Sequence, residues 1–243
     1  MKFEFPNLNF ELPKIEMPNL EIPKIDENSM VQVLDWAYDT TINGIPGQKT
    51  IQELADDYLK YDDVDTAISK MIAFQTSKAA LSGFVTGFGG ILTLPVTIPA
   101  NITSVILVQM RMIATIAYMR GYDLKSDQVQ TFVYAALTGT SIAEITKKAG
   151  IVFAEKFAQG MIKKVPREVL KKINHAVGFK LVTKFGEKGV VNLGKMIPVA
   201  GALIGAGVDG VSTQVIANHA LSIFTPNGIN LGDDLIIDMD EIQ

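Results

Sequence analysis

The chain has 243 residues, of which 48% are hydrophobic and 20% charged, with a net charge of −4. That length makes one large domain or two small ones, and it buries a sizeable core without disulfides or metals. Cysteine is absent, which excludes a disulfide framework and thiol chemistry.

Residues 1–28 read as a Pro-rich extended arm. Pro6-Asn7-Leu8 recurs as Pro18-Asn19-Leu20, and Pro13-Lys14-Ile15 recurs as Pro23-Lys24-Ile25. Apolar residues alternate between the prolines, at Leu8, Phe10 and Leu12 and again at Leu20 and Ile22. Period two with regular proline describes edge strand and polyproline II rather than helix. Disordered tails are poor in Phe, Leu and Ile, so residues 1–25 are expected to lie on their own domain or on a second copy in a homo-oligomer. The opening Met1-Lys2-Phe3-Glu4-Phe5-Pro6 lacks the basic and apolar regions of a secretory signal, so cytoplasmic residence is expected.

Residues 29–224 read as one helical domain. Met30 to Thr41 forms a short helix that Asn43-Gly44-Ile45-Pro46-Gly47 ends. Thr50 and Glu53 make a capping box for the next helix, through Tyr61. Asp62 or Asp63 caps a third, which runs into the most unusual stretch of the chain. From Ala79 to Met110 no side chain is charged. The run is long enough to span a bilayer, which takes about 20 apolar residues of helix. Its centre, Gly87 to Pro99, holds Gly89, Gly90, Pro95 and Pro99, which no straight helix tolerates. The run therefore predicts an apolar helical hairpin with a Gly/Pro turn rather than a lone span. Phe84, Phe88, Ile91, Leu92, Leu94, Val96 and Ile98 are its candidate lipid or membrane contacts.

Pro99 suits a first helical position, and the helix that follows ends near Gly121. Ser126 is placed to cap a helix reaching about Ala149. Residues 145–195 then hold 12 basic and 3 acidic side chains. Three or so short basic helices are predicted there, broken near Pro166, Gly178 and Gly186. Their paired lysines, Lys163-Lys164 and Lys171-Lys172, are scattered among Ile, Val and Phe and match no nucleic-acid motif. Basic helices with apolar faces suit an anionic membrane surface.

The last helix is expected from about Pro198 to Phe224. Gly201 and Gly205 form a small-residue row that permits close helix packing. Asp209 and Thr213 continue the same face, as a polar clasp or as the anchor at the end of an apolar pocket. Residues 225–243 read as an acidic tail, since residues 196–243 contain no Lys or Arg and six acidic groups. Leu235 to Ile237 is its one strand-like piece, a candidate for pairing with the arm. With few strand signals elsewhere, the fold class is all-α: a multi-helix bundle with the apolar hairpin, the arm and the tail.

Catalytic patterns are scarce. His175 and His219 lack companions at metal-ligand spacing and read as helix-surface residues. No nucleophile elbow and no phosphate-binding loop is present. The aspartates from Asp56 to Asp65 lack the spacing of a calcium loop and suit helix capping. No metal and no cofactor is expected.

Several stretches together resemble the bacterial EcsC family. They are Leu34-Asp35-Trp36-Ala37-Tyr38, Asn43 to Gly47, Ala79 to Ala100, Arg111 to Tyr118, Gly121-Tyr122-Asp123, Gly178 to Gly194 and Ile197-Pro198-Val199 with the glycines after it. They cover roughly residues 30–220, leaving the arm and the tail outside. The resemblance implies a helical bacterial protein linked to an ABC transporter operon and to secretion, and it carries over no catalytic residue. The leading functional expectation is a non-enzymatic protein, peripheral on the inner membrane, that binds lipid or another long apolar ligand. The rivals are an interaction accessory of a transporter or secretion complex, and an enzyme with an unrecognised site acting on lipid.

Overall fold

A computed structural model describes residues 26–45, 47–60, 63–81, 100–151, 165–185, 213–232 and 235–242. The helices in order are α1 (Glu27–Asn43), α2 (Ile51–Leu59), α3 (Val64–Leu81), α4 (Ala100–Met119), α5 (Asp127–Leu137), α6 (Ile142–Lys148), α7 (Arg167–Phe185) and α8 (213–223). Three short strands follow: β1 (Phe224–Thr225), β2 (Gly228–Gly232) and β3 (Leu235–Asp238). The molecule is mostly helical, as its composition and periodicity predict.

Local signals set the helix ends. Asp26 accepts from the Ser29 amide at 2.7 Å and opens α1, three residues ahead of the predicted start. Thr50 and Glu53 make both bonds of the capping box that opens α2. Asp63 accepts from the amide and hydroxyl of Thr66 and opens α3. These bonds satisfy amides that the first helical turn leaves unpaired. Gly121, at φ +89°, stops α4 in a backbone region that other residues rarely adopt.

Four helices close into a ring around the core. α1 packs on α4 and α7, and α5 packs on the same two. α4 is buried almost all round from Met110 through Ala117, and Ile102, Ile106, Leu107 and Met110 of the uncharged run are also in the core. Tyr38 of α1 meets Tyr134 of α5 edge to face across the ring, with centroids 5.7 Å apart. The Tyr134 hydroxyl donates to Asp35 at 2.8 Å and accepts from Gln130 at 2.6 Å, while Tyr38 donates to the Leu124 carbonyl at 2.8 Å. Burial raises the pKa of both phenols and of the Asp35 carboxyl; the Tyr134 bond opposes the shift at Asp35. Arg111 of α4 is buried and donates to the Lys49 carbonyl, and desolvation lowers its pKa. α2 packs on α3 and α4, and α6 on α7.

Two predicted boundaries are corrected. The helix expected from Ser126 to Ala149 is two helices, because Gly139 takes φ +66° between Leu137 and Ile142. Ser126 sits at the N-cap position of α5, yet its hydroxyl donates to the Ile242 carbonyl at 3.1 Å instead of capping. Gly178 breaks nothing: it lies inside the 19 residues of α7. A Cβ there would stand 3.1 Å from the Glu27 carbonyl oxygen and 3.1 Å from a Val31 methyl, so its bare backbone lets α1 and α7 close together. Gly178→Ala should therefore be near neutral, helix propensity offsetting the tight contact. Gly178→Leu should cost about 2 kcal/mol by overpacking. Urea midpoints for the two variants check this, with an unchanged slope expected for both.

The acidic tail is also folded. β1, β2 and β3 form an antiparallel sheet in that order. The strand-like piece at Leu235 to Ile237 is indeed a strand, and it pairs with β2 of the tail itself. Ile229, Leu231, Ile237 and Ile242 are buried in the common core, while Asp238 and Asp240 face solvent. Helix α8 ends at 223, one residue before the predicted limit, because Phe224 begins β1. Phe224 is fully buried against Tyr122, whose hydroxyl donates to the Thr225 carbonyl at 2.7 Å.

Candidate functional site, a basic groove between α6 and α7

Helix α7 has two faces. Leu170, Ile173, Val177, Gly178 and Leu181 point inward at helical spacing. Lys172, His175, Ala176, Phe179, Lys180 and Thr183 form a second stripe with steps of three and four. With Ile145, Lys148 and Ala149 on α6 and its cap, they line a groove of about 960 Å3. Glu27, at the start of α1, stands at its rim.

The walls are held by ion pairs. Ser141 caps α6 by accepting from the Glu144 amide. Glu144 accepts from Lys180 at 2.8 Å and from Lys148 at 3.2 Å, and the two lysines hold its carboxyl below its usual pKa. The Lys180 pair ties α6 to α7. Lys184 lies deeper, at 3.5 Å from the Leu137 carbonyl and 5.3 Å from the Phe185 ring centroid. It meets the carbonyl end of α5, where cations are favoured. Burial lowers the pKa of its ammonium.

At the centre Phe179 is 57% exposed, the most exposed large apolar side chain among the described residues. Lys172 and His175 are exposed beside it on the same helix face. The Thr183 hydroxyl donates to the Phe179 carbonyl at 3.0 Å and so is tied to the helix. An exposed aromatic ring and several ammonium groups lining one groove suit a molecule with an anionic head and an apolar body. Among the described residues, no cluster of His, Asp and Glu could hold a metal ion.

The predicted site residues are only partly brought together. Lys172 lines the groove, and Lys171 is exposed on the adjacent helix surface. Thr213 is buried at the first described residue of α8. Phe84, Phe88, Ile91, Leu92, Leu94, Val96, Ile98, Lys163, Lys164, Gly201, Gly205 and Asp209 lie outside the described residues, as does the predicted arm over 1–25. Among the described residues no helix is long and apolar enough to cross a membrane. Sequence reasoning passed over Lys148, Phe179, Lys180 and Lys184 as site residues. The spacing of 172, 175, 176, 179, 180 and 183 would have found the stripe, had Gly178 not been read as a helix end.

The model of the EcsC protein family matches residues 22–225, most of the chain. No curated protein and no solved structure matches it.

Proposed function

The chain belongs to the EcsC protein family, and we propose that it acts by binding, associating with an anionic membrane surface and taking lipid or another long apolar anion at the α6–α7 groove. The observation that carries this is that the exposed Phe179 lines one groove together with Lys148, Lys172, Lys180 and Lys184. The groove's volume falls in the range that receives a drug-sized ligand, about 300–1,000 Å3. Ammonium groups meet the phosphate of a headgroup, and the Phe179 ring covers the first part of an acyl chain. In this reading the protein is peripheral on the cytoplasmic face of the inner membrane and performs no covalent chemistry at the groove.

Two measurements test it. Organic extraction of the purified protein followed by lipid mass spectrometry should find a co-purified anionic lipid. Sedimentation with vesicles should show binding to a phosphatidylglycerol–phosphatidylcholine mixture that weakens as salt rises, because exposed charges are screened beyond about 8 Å at physiological ionic strength. Equal binding to pure phosphatidylcholine at every salt concentration would overturn the role of the lysines.

A further inference from the structure

The first described residue is Asp26, and Glu27, its neighbour, stands at the rim of the basic groove. The described chain therefore begins beside the candidate site. They also precede nearly all of the family-matched stretch, which begins at residue 22. Residues 1–25 carry four glutamates, Glu4, Glu11, Glu16 and Glu21, and three lysines, Lys2, Lys14 and Lys24. Apolar side chains fill much of the space between them. The segment thus sets carboxylates at intervals on an apolar body, with a side-chain charge of −1 over residues 1–25, and so shares the carboxylate-on-apolar pattern of the ligand assigned to the groove.

We propose that residues 1–25 occupy the α6–α7 groove in the absence of lipid and are displaced by an anionic membrane surface. This rests on the reading of the groove as a site for anionic amphiphiles. Reach is ample. From Lys172 to Lys184 the α7 stripe is about 18 Å long at 1.5 Å per residue. About six extended residues at roughly 3.3 Å each cover that distance. Glu21, Glu16 and Glu11 thus come within range of Lys148, Lys172 and Lys180 in turn, and the phenylalanines further along remain available for Phe179. Direct attachment at Asp26 gives the segment an effective concentration of the order of millimolar at the groove, so a weak intrinsic affinity suffices. The apolar alternation of the arm, which would otherwise be exposed, gains a partner.

Zero-length carbodiimide coupling of the full chain tests the contact directly, since it joins a glutamate to a lysine only when they touch. Lys180 and Glu144, 2.8 Å apart, supply the internal control. Mass spectrometry should find Glu11, Glu16 or Glu21 joined to Lys148, Lys172 or Lys180. Those products should disappear on adding phosphatidylglycerol vesicles and persist with phosphatidylcholine. A control product without any arm product would overturn the proposal. So would arm products formed only between isotopically distinct copies, which would place the arm on a neighbour. In the full chain, the combined change E11Q/E16Q/E21Q should raise affinity for phosphatidylglycerol vesicles about fivefold by removing the competitor; an unchanged affinity would overturn displacement. If the arm products form and neither protein binds vesicles, the arm occupies the groove and the lipid reading is the one that fails.

Discussion

Replacing Gly228 with alanine is expected to lower the unfolding midpoint by about 10 °C, from a loss of about 3 kcal/mol. Gly228 pairs with Thr225 on one side and with Asp238 on the other, at the centre of the tail sheet. Its φ is +149°, and an added Cβ would stand 2.0 Å from the Ile237 carbonyl oxygen and 2.8 Å from the Ile237 carbonyl carbon. Those are backbone atoms, so no rotamer change relieves the contact; the β2–β3 ladder must separate. Separation exposes Ile229, Leu231 and Ile237, which belong to the core. It also loosens the bonds that the sheet region makes to the α4–α5 turn, from Tyr122 to Thr225 and from Ser126 to Ile242. Ile236→Val on an exposed position of β3 serves as the comparison and should shift the midpoint by little. Thermal unfolding followed by circular dichroism measures both. A protease specific for acidic residues should cut the Gly228→Ala tail faster than the native one, since residues 196–243 offer trypsin no Lys or Arg. An unshifted midpoint would mean that the tail sheet contributes nothing to the stability of the body.

The tail shows why some of this architecture is legible in the sequence and some is not. Helix caps depend on three or four consecutive residues, so Thr50 with Glu53, Asp63 with Thr66, and Gly121 can be read directly. Leu235 to Ile237 is legible for the same reason. What it pairs with is decided by β2, whose Ile229 and Leu231 share the core with Ile237 and with helices far away in the chain. Acidic content concealed this, because Asp238 and Asp240 sit on the solvent side of a segment whose Ile237 and Ile242 are buried. Gly139 and Gly178 make the opposite point. Both lie in helix-forming surroundings, yet one ends a helix through positive φ and the other continues it. Only the approach of Glu27 and Val31 distinguishes a packing glycine from a breaking one, and that approach is tertiary.

The same distinction governs the site. The excess of positive charge over 145–195 is a property of composition and is legible at once. The convergence of Lys148 with Lys172, Lys180 and Lys184 depends on α6 folding back on α7 through Glu144, which sequence spacing alone does not reveal. Lysine pairs suggested a diffuse basic surface. Among the described residues, Lys172 and Phe179 line one groove, and Lys171 lies on the adjacent surface.

Replacing Lys148, Lys171 and Lys172 together by glutamine should weaken binding to phosphatidylglycerol vesicles about 150-fold, while Phe179→Ala should weaken it about tenfold by a different route. Each cation near an anionic surface contributes about 1 kcal/mol, so three contribute about 3 kcal/mol. Lys180 is left in place because its pair with Glu144 joins the two walls, and its loss would confuse a binding effect with a packing one. The triple variant should lose most of the salt dependence along with the affinity, since the lost interaction is the screened one. Phe179 is more than half exposed, so truncating it forfeits little folding stability. Its burial against lipid is worth about 1.5 kcal/mol, and that contribution is apolar, so the salt slope should remain that of the native protein. Changing Lys60, Lys70 and Lys125 to glutamine alters net charge equally on other parts of the surface and should leave binding within about twofold. Vesicle sedimentation across a salt series, with helix content checked by circular dichroism, reads all three variants. Equal losses in the Lys148, Lys171 and Lys172 variant and in the Lys60, Lys70 and Lys125 control would mean that net charge, and neither the groove nor the helix surface beside it, attracts the protein to the membrane. A Phe179→Ala variant with native affinity would mean that the contact stops at the headgroups and that no acyl chain enters between α6 and α7.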